Sequence, residues 1–320
     1  PILDTGENQV RRNSYFRFES AWLLKEGFRE LVSQKMFPRD DIYILNYWNR
    51  KQSDLRRFLK GWGFNQNREN ILTKQNLQSL LKDQDIHDDE RPLTVEEWEK
   101  RYSLEVDLKH IYEMEELFWH KKCGDQELLQ GDRNTEFFHI MANGRKRRCT
   151  ITALEINGQM VPEKEILTSH ILDYYKTLFR ADDPPSIHLS PQIWSQSCCL
   201  TNDQRCHIIR PFSIDELDKV LKEAKPNTAP GPDGFNVHFY RAFWPKIRND
   251  LFEMLLMLFE NKLDLKRLNF GVISLIPKTS DPTNIKQFKP ICVLNDCFKF
   301  LNKVVTNRLT EVAHSVISPT

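Results

Sequence analysis

Apolar residues recur at helical spacing through roughly the first third of the chain. Steps of three, four and seven residues between apolar side chains are typical of amphipathic helices that pack one face against a core. Four stripes of this kind run along Phe18–Leu31, Leu45–Leu59, Ile71–Leu81 and Trp98–Leu117. The acidic segment Asp83–Pro92 predicts a loop, and Thr94 followed by Glu97 predicts the capped start of the last helix. The pattern therefore predicts long paired helices with charged outer faces.

A β-hairpin is predicted near residues 151–161. Ile151–Ile156 and Gln159–Val161 place apolar residues on both sides of Asn157-Gly158. Asn-Gly between two apolar runs favours a two-residue turn, because both turn positions need a positive φ. A helical stripe from Ile166 to Leu178 follows the hairpin.

Turn-forming residues separate this region from a second set of helices and strands. Residues 181–205 include Asp182-Asp183-Pro184-Pro185, which predicts a loop linker. Beyond it the pattern predicts a helix capped by Ser213 and Glu216, a helix with Pro245 in its first turn, and two β-rich runs, Gly271–Pro277 and Pro290–Leu294. The predicted fold class is α+β and mainly helical.

The run Ala229–Gly234 can be neither the interior of a helix nor that of a strand. Its two prolines fix φ and lack amide donors, and its two glycines permit positive φ. Asp233 within this run looks catalytic in isolation, but an Asx-type turn cap is the preferred interpretation.

Charge is distributed unevenly along a chain whose composition is globular. Of 320 residues, 40% are hydrophobic and 28% charged, and the formal net charge is only +1. Thirteen acids face four bases between Asp83 and Glu116, whereas fifteen bases face eight acids between Lys219 and Arg308. A polyanionic partner is therefore expected to meet the C-terminal part. The alternative interpretation is two solvated surfaces of opposite sign.

The sequence contains no apolar run of eighteen residues, so no membrane partner is expected. The start, Pro1–Thr5, has no initiator Met and no signal-peptide pattern, and it reads as the middle of a longer protein. The seven cysteines form no CxxC pair. An intracellular setting, in the nucleus or the cytoplasm, is the expectation.

Two groups of short motifs carry a resemblance to a known family. Leu129–His139 followed by Arg145–Arg148 resembles the linker upstream of the polymerase in plant LINE-type (non-LTR) retrotransposons. Ala229–Gly234, Leu275–Lys278 and Phe288–Ile291, in that order, resemble the opening blocks of the reverse transcriptase of these elements.

The resemblance implies four parts along the chain. Residues 1–12 would be the tail of a preceding endonuclease domain, and residues 13–180 a helical linker region containing the small hairpin. Residues 181–205 would be a loop linker. Residues 206–320 would be the N-terminal (fingers) part of a reverse transcriptase with the right-hand fold, incomplete here.

The family carries out RNA-directed DNA synthesis, with an RNA template, a DNA primer and deoxynucleoside triphosphates. Its chemistry needs aspartates that hold two Mg²⁺ ions, and the resemblance places those aspartates after the Pro290–Asn295 segment. This fragment is therefore expected to have no catalytic residue, no metal site and no cofactor, and to be inactive as it stands. The alternatives are a non-catalytic RNA-binding or assembly module and an unstable pseudogene product.

The resemblance also assigns candidate contacts. Lys278 and Lys289 would contact the triphosphate of the incoming nucleotide, although the family usually has Arg at the second position. The alternative is that both lysines merely protect an exposed strand edge. The loop of Pro230, Gly231, Pro232, Asp233 and Gly234 would lie on the template side.

The remaining candidates are one basic run and two motifs that resemble functional sites only superficially. Arg145, Lys146, Arg147 and Arg148 would contact RNA, the alternatives being a nuclear-import signal or a solvated loop. Phe179–Asp183 only superficially resembles the aromatic-x-Asp-Asp box of polymerases, because Pro184 and Pro185 cannot pair as a central strand. Cys198, Cys199, Cys206 and His207 do not have the spacing of a zinc site.

Overall fold

The computed structural model describes residues 15–36, 43–123, 140–141, 143–144, 147–180 and 200–316. Within these ranges the helices are α1 (Phe28–Lys35), α2 (Ile44–Glu90), α3 (Val95–Cys123), α4 (Lys164–Leu178), α5 (Asn202–Ile209), α6 (Ile214–Glu223), α7 (Val237–Ala242), α8 (Trp244–Phe259) and α9 (Asp296–Val316). The strands are β1 (Leu154–Ile156), β2 (Gln159–Val161), β3 (Gly271–Pro277) and β4 (Phe288–Leu294). Short 3₁₀ turns cover Ser20–Leu24, Leu265–Arg267 and Ile285–Gln287.

Mainly helical structure with two small sheets confirms the α+β prediction. Each sheet has two strands, β1 with β2 and β3 with β4. The chain divides into two compact units. Unit one takes the residues up to Trp62 together with Pro211–Val272 and Val293–Val305. Unit two takes Gly63–Arg210, Ile273–Cys292 and the residues from Thr306 onward.

An aromatic cluster forms the centre of unit one. Phe18 packs edge-on against Phe239 at a ring distance of 5.2 Å, and Phe235 lies 4.3 Å from Phe239. The backbone supports the same contact, since Phe18 N donates to Gly234 O at 2.8 Å and Asn236 Nδ2 donates to Phe18 O at 3.0 Å. These bonds join the N-terminal segment to the loop before α7, two parts of the chain more than 200 residues apart.

One ion pair is buried within this core. Lys51 Nζ on α2 lies 2.8 Å from Asp250 Oδ2 on α8, and both side chains are largely inaccessible to solvent. Removal of one partner would leave the other charge buried and uncompensated, which costs far more than loss of a surface pair. The interaction therefore ties α2 to α8 inside unit one.

A second, smaller core holds unit two's hairpins together. Leu154 of β1, Leu167 and Tyr175 of α4, and Ile285 and Phe288 around β4 are buried against one another. Asn157 and Gly158 have φ values of 53° and 81°, as the predicted two-residue turn requires. The predicted hairpin is confirmed, although its first strand begins at Leu154 and not at Ile151.

The predicted pairing of long helices is also confirmed in unit two. Lys74 of α2 pairs with Glu115 of α3 at 2.7 Å, and Gln78 donates to Tyr112 at 2.9 Å. The capped start of α3 is as predicted, with Glu97 N donating to Thr94 Oγ1 at 3.3 Å.

The loop predicted at Asp83–Pro92 is wrong, because α2 continues to Glu90. Arg101 of α3 pairs with Asp85, and Arg91 pairs with Glu97 at 2.7 Å. Arg101 of the neighbouring helix thus offsets part of the acidic repulsion that favoured a loop when the segment was considered alone.

The other local predictions differ from the structure only at their edges. Ser213 and Glu216 form the predicted capping box of α6, and Pro245 lies in the first turn of α8. Residues 202–205 of the predicted linker are instead the start of α5, capped by Thr201 and Gln204. The earlier part of that linker lies outside the described residues. No helix in the described ranges is both long enough and apolar enough to cross a membrane.

Candidate nucleotide and nucleic-acid contact sites

The strands β3 and β4 carry the two lysines predicted to contact a nucleotide. Lys278 directly follows β3, and Lys289 is the second residue of β4. Both side chains are exposed. Lys278 N donates to Gln287 O at 2.8 Å, which closes the end of the sheet. The two lysines are thus held near the same end of a β-hairpin.

A third lysine, not singled out from the sequence, lies beside them. Lys286 is exposed, and its carbonyl accepts a 2.9 Å hydrogen bond from Lys278 Nζ. An ammonium group has three donors, so Lys278 keeps two for another acceptor. In the sequence, the only indication of this residue is that Lys286 lies between Lys278 and Lys289. A charge count over a long window does not distinguish it from other lysines.

The connection between β3 and β4 is anchored to the second core. Ile285 and Phe288 are buried in that core, and Asn284 caps the turn between them by accepting from Lys286 N at 3.0 Å. Glu155 N of β1 donates to Thr283 O at 2.7 Å. The small hairpin β1–β2 therefore supports the lysine-bearing end of the β3–β4 sheet.

The segment Ala229–Gly234, called the Pro/Gly loop below, lies in unit one and is built around a buried carboxylate. Asp233 is 5% exposed. Its Oδ1 accepts from Phe235 N at 3.1 Å, which confirms the Asx-type cap, and its Oδ2 accepts from Gln52 Nε2 at 3.2 Å. Asp233 N donates to Asn295 Oδ1 at 3.0 Å. The carboxylate therefore shapes the loop from inside the unit.

Two glycines allow the loop to pack this closely. A Cβ at Gly231 would overlap the backbone and the side-chain oxygen of Asn295. Gly234 has a φ of 78°, and a Cβ there would overlap the carbonyl of Phe16. Among the residues of the predicted template-side loop, Pro230, Gly231 and Pro232 remain partly accessible.

Burial changes the acid–base properties of the groups under the loop. Burial is the largest cause that raises the pKa of Asp233, to about 7, and the charge of Asp296 adds to it, while the Phe235 N–H and Gln52 lower it. Burial likewise raises the pKa of Asp296, against the lowering effect of Lys299, which lies 2.8 Å away. Sequence reasoning missed Gln52 and Asn295, since neither is close to Asp233 in the chain.

Cys297, which lies near these acids, is not placed to act as a nucleophile. It is fully buried, and burial raises the pKa of its thiol to about 12. The thiol therefore stays protonated at neutral pH, and only a thiolate is reactive. Its position favours a packing role.

Half of the predicted RNA-contact run is described. Arg147 and Arg148 are exposed in a helical turn just before Thr150, whose N–H donates to Arg147 O at 3.1 Å. Arg145 and Lys146 lie outside the described residues. The role of the run as an RNA contact stays a prediction.

The Mg²⁺ ions implied by the resemblance need several convergent oxygen ligands. Among the described residues, no group of three or more His, Cys, Asp or Glu side chains is arranged to hold a metal ion. Asp233, whose pKa is raised to about 7, loses part of its charge near neutral pH, and Asp296 is already paired with Lys299. The described residues do not fit a magnesium site.

Comparison with known proteins relates the chain to a transposon protein. No protein-family model matches the chain. The chain is 28% identical over 198 residues to the Transposon TX1 uncharacterized 149 kDa protein of Xenopus laevis. The aligned region covers 61% of this chain and only 15% of that relative, so the chain spans a small part of its relative's length. The chain is therefore a distant relative of a transposon protein.

Proposed function

We propose that the chain is the linker and fingers part of a non-LTR retrotransposon reverse transcriptase, and that it contributes nucleotide contacts to RNA-directed DNA synthesis. The distant transposon relative supports the lineage. The ordered motifs from the Pro/Gly loop to Asn295 support the polymerase assignment, since the later ones lie on the two paired strands β3 and β4.

The observation that carries the proposal is the anchored β3–β4 hairpin. Three exposed lysines, Lys278, Lys286 and Lys289, lie on it within twelve residues. A triphosphate is a compact polyanion, and ammonium groups attract it as point charges. A hairpin fixed by its own buried residues can present these charges with little loss of conformational freedom on binding.

Lysine at position 289 affects the geometry of the proposed phosphate contact. A guanidinium would bind a phosphate with two parallel hydrogen bonds, whereas an ammonium group binds without that fork. The proposed contact is therefore mainly electrostatic, and its strength should depend strongly on ionic strength.

The double variant Lys278→Ala with Lys289→Ala tests the proposal. We expect its affinity for a fluorescent deoxynucleoside triphosphate to fall about thirtyfold at low salt, since each of the two lost charged contacts is worth on the order of 1 kcal/mol. Equilibrium titration by fluorescence anisotropy gives both dissociation constants.

The matched control is Lys100→Ala with Lys109→Ala on α3. Both control lysines are exposed, and the net charge changes by the same amount. If the hairpin variant and the control variant bind the nucleotide equally well, the lysines only protect a strand edge and the proposed contact does not exist.

A further inference from the structure

A basic pocket lies in unit one, on the outward face of α2. Ser53, Arg56, Arg57 and Lys60 line it at spacings of three, four and seven residues, so they lie along one face of the helix. Tyr15, Phe16 and Pro232 complete the lining, and the cavity measures about 540 Å³. The pocket therefore joins the N-terminal segment, α2 and the Pro/Gly loop.

The cations of this pocket are exposed. Within the described part of the chain, Arg56 and Lys60 have no carboxylate within ion-pair distance. Arg57 contacts Asp54 at 3.4 Å, with both side chains largely accessible to solvent. Such an exposed pair is weak, so it does not prevent Arg57 from binding another anion.

Lys51, on the opposite face of α2, can be compared with the exposed cations of the pocket. It points into the core and is paired with Asp250. Leu55 and Leu59 are likewise buried against the core. The helix thus uses its inward face for structure and carries exposed cations on its outward face.

The pocket also holds an exposed aromatic ring. Tyr15 is 86% exposed, although its neighbour Phe16 is buried. An accessible ring beside clustered cations is the combination used to bind single-stranded nucleic acids, in which bases stack and phosphates meet positive charge. A paired base cannot stack in this way, so the ring favours an unpaired strand over a duplex.

We propose that this pocket binds a single-stranded nucleic-acid segment. Phosphates contact Arg56, Arg57 and Lys60, and an unpaired base stacks on Tyr15. From Arg56 to Lys60 the helix rises roughly 6 Å, so the three long side chains lie close enough together to contact neighbouring phosphates of one strand. The inference rests on the proposed function in one respect, because Pro232 belongs to the loop predicted to lie on the template side.

The triple variant Arg56→Ala, Arg57→Ala, Lys60→Ala tests the phosphate contacts. Its binding to a fluorescent oligouridine is measured by anisotropy over a range of salt concentrations. Loss of three contacts is expected to lower the slope of log affinity against log salt by about 2, since each contact to a single strand contributes about 0.7. The affinity at low salt is expected to fall at least tenfold.

The control for charge is the triple variant Lys82→Ala, Lys100→Ala, Lys109→Ala. It removes the same net charge from exposed positions on α2 and α3 outside the pocket. Its salt slope is expected to stay within about 0.5 of the original value, because the counterions released depend on contacts and not on net charge. Equal slopes for the two triple variants overturn the proposal.

Two further variants test the chemistry of the pocket. Arg56→Lys with Arg57→Lys keeps the charges and is expected to keep the slope. Tyr15→Ala is expected to reduce the affinity about five- to a hundredfold with the slope unchanged, as loss of one stacked base does. If Tyr15→Ala has no effect, or if a blunt duplex binds as tightly as oligouridine, the pocket does not select a single strand.

The nucleotide experiment separates this inference from the proposed function. Failure of the hairpin variant to affect nucleotide binding, with the pocket variant still altering oligouridine binding, would contradict only the nucleotide contact. The reverse pattern would contradict only the pocket.

Discussion

Replacement of Gly234 by alanine is expected to destabilise unit one by roughly 2–5 kcal/mol. A φ of 78° is unfavourable for a residue with a Cβ by about 1–2 kcal/mol. The added methyl would also overlap the carbonyl of Phe16 and approach Phe16 Cδ1 within 2.7 Å. Forcing such an overlap typically costs a further 1–3 kcal/mol. Amide hydrogen exchange in α8, where Leu251 is fully buried, reports the opening of this unit.

Gly27→Ala is a matched control in the same unit. Gly27 has a φ of 69°, and a Cβ there would meet nothing within 4 Å. Its substitution should therefore cost only the conformational part, about 1–2 kcal/mol. The difference between the two variants measures the contact with Phe16. If Gly234→Ala lowers the free energy of unfolding no more than Gly27→Ala does, the close approach of Gly234 to Phe16 is not rigid.

Unit one is expected to lose stability as the pH rises from about 4 to 7, because of Asp233. The pKa of this carboxyl is raised to about 7 in the folded protein, whereas it is about 3.9 in an unfolded chain. The folded state therefore binds more protons in this window, and its stabilising contribution is full below about pH 4 and lost above pH 7. Three pH units correspond to roughly 4 kcal/mol.

The variant Asp233→Asn is expected to remove this dependence. An amide at this position keeps Oδ1 for the Phe235 N–H, and Gln52 can accept from the new NH₂ group after rotation of its own amide. The free energy of unfolding, measured by urea titration from pH 4 to pH 8, should then fall less steeply than in the original protein. Asp215→Asn, an exposed change at the start of α6, should leave the slope nearly unaltered. Parallel pH profiles for the original protein and Asp233→Asn would contradict a buried, protonated carboxyl.

Local patterns predicted the elements whose structure depends on neighbours in the chain. Thr94 with Glu97 and Ser213 with Glu216 cap helices because each pair satisfies backbone groups within four residues. Asn157-Gly158 makes its turn for a similarly local reason. The acidic segment before Pro92 was mispredicted because Arg101, which stabilises it as helix, lies on another element.

The candidate sites were less predictable, because they depend on distant contacts or on the family. Lys278 and Lys289 were selected by resemblance, and no local pattern distinguishes them from other exposed lysines. The bond from Gln52 to Asp233 crosses 181 residues. The sequence does not predict the pocket of Arg56, Arg57 and Lys60, because the fold brings Tyr15 and Pro232 beside them from distant parts of the chain.

Because Gly231 and Gly234 fit so tightly, retention of both glycines indicates selection for a folded protein. Any base change at the first or second position of a glycine codon replaces the residue, and both sites here reject a Cβ. A gene that no longer needs to encode a folded protein should lose one of these glycines early, whereas a gene that does should keep both. Both are present in this chain, and a comparison of related sequences would show whether the pair is retained together.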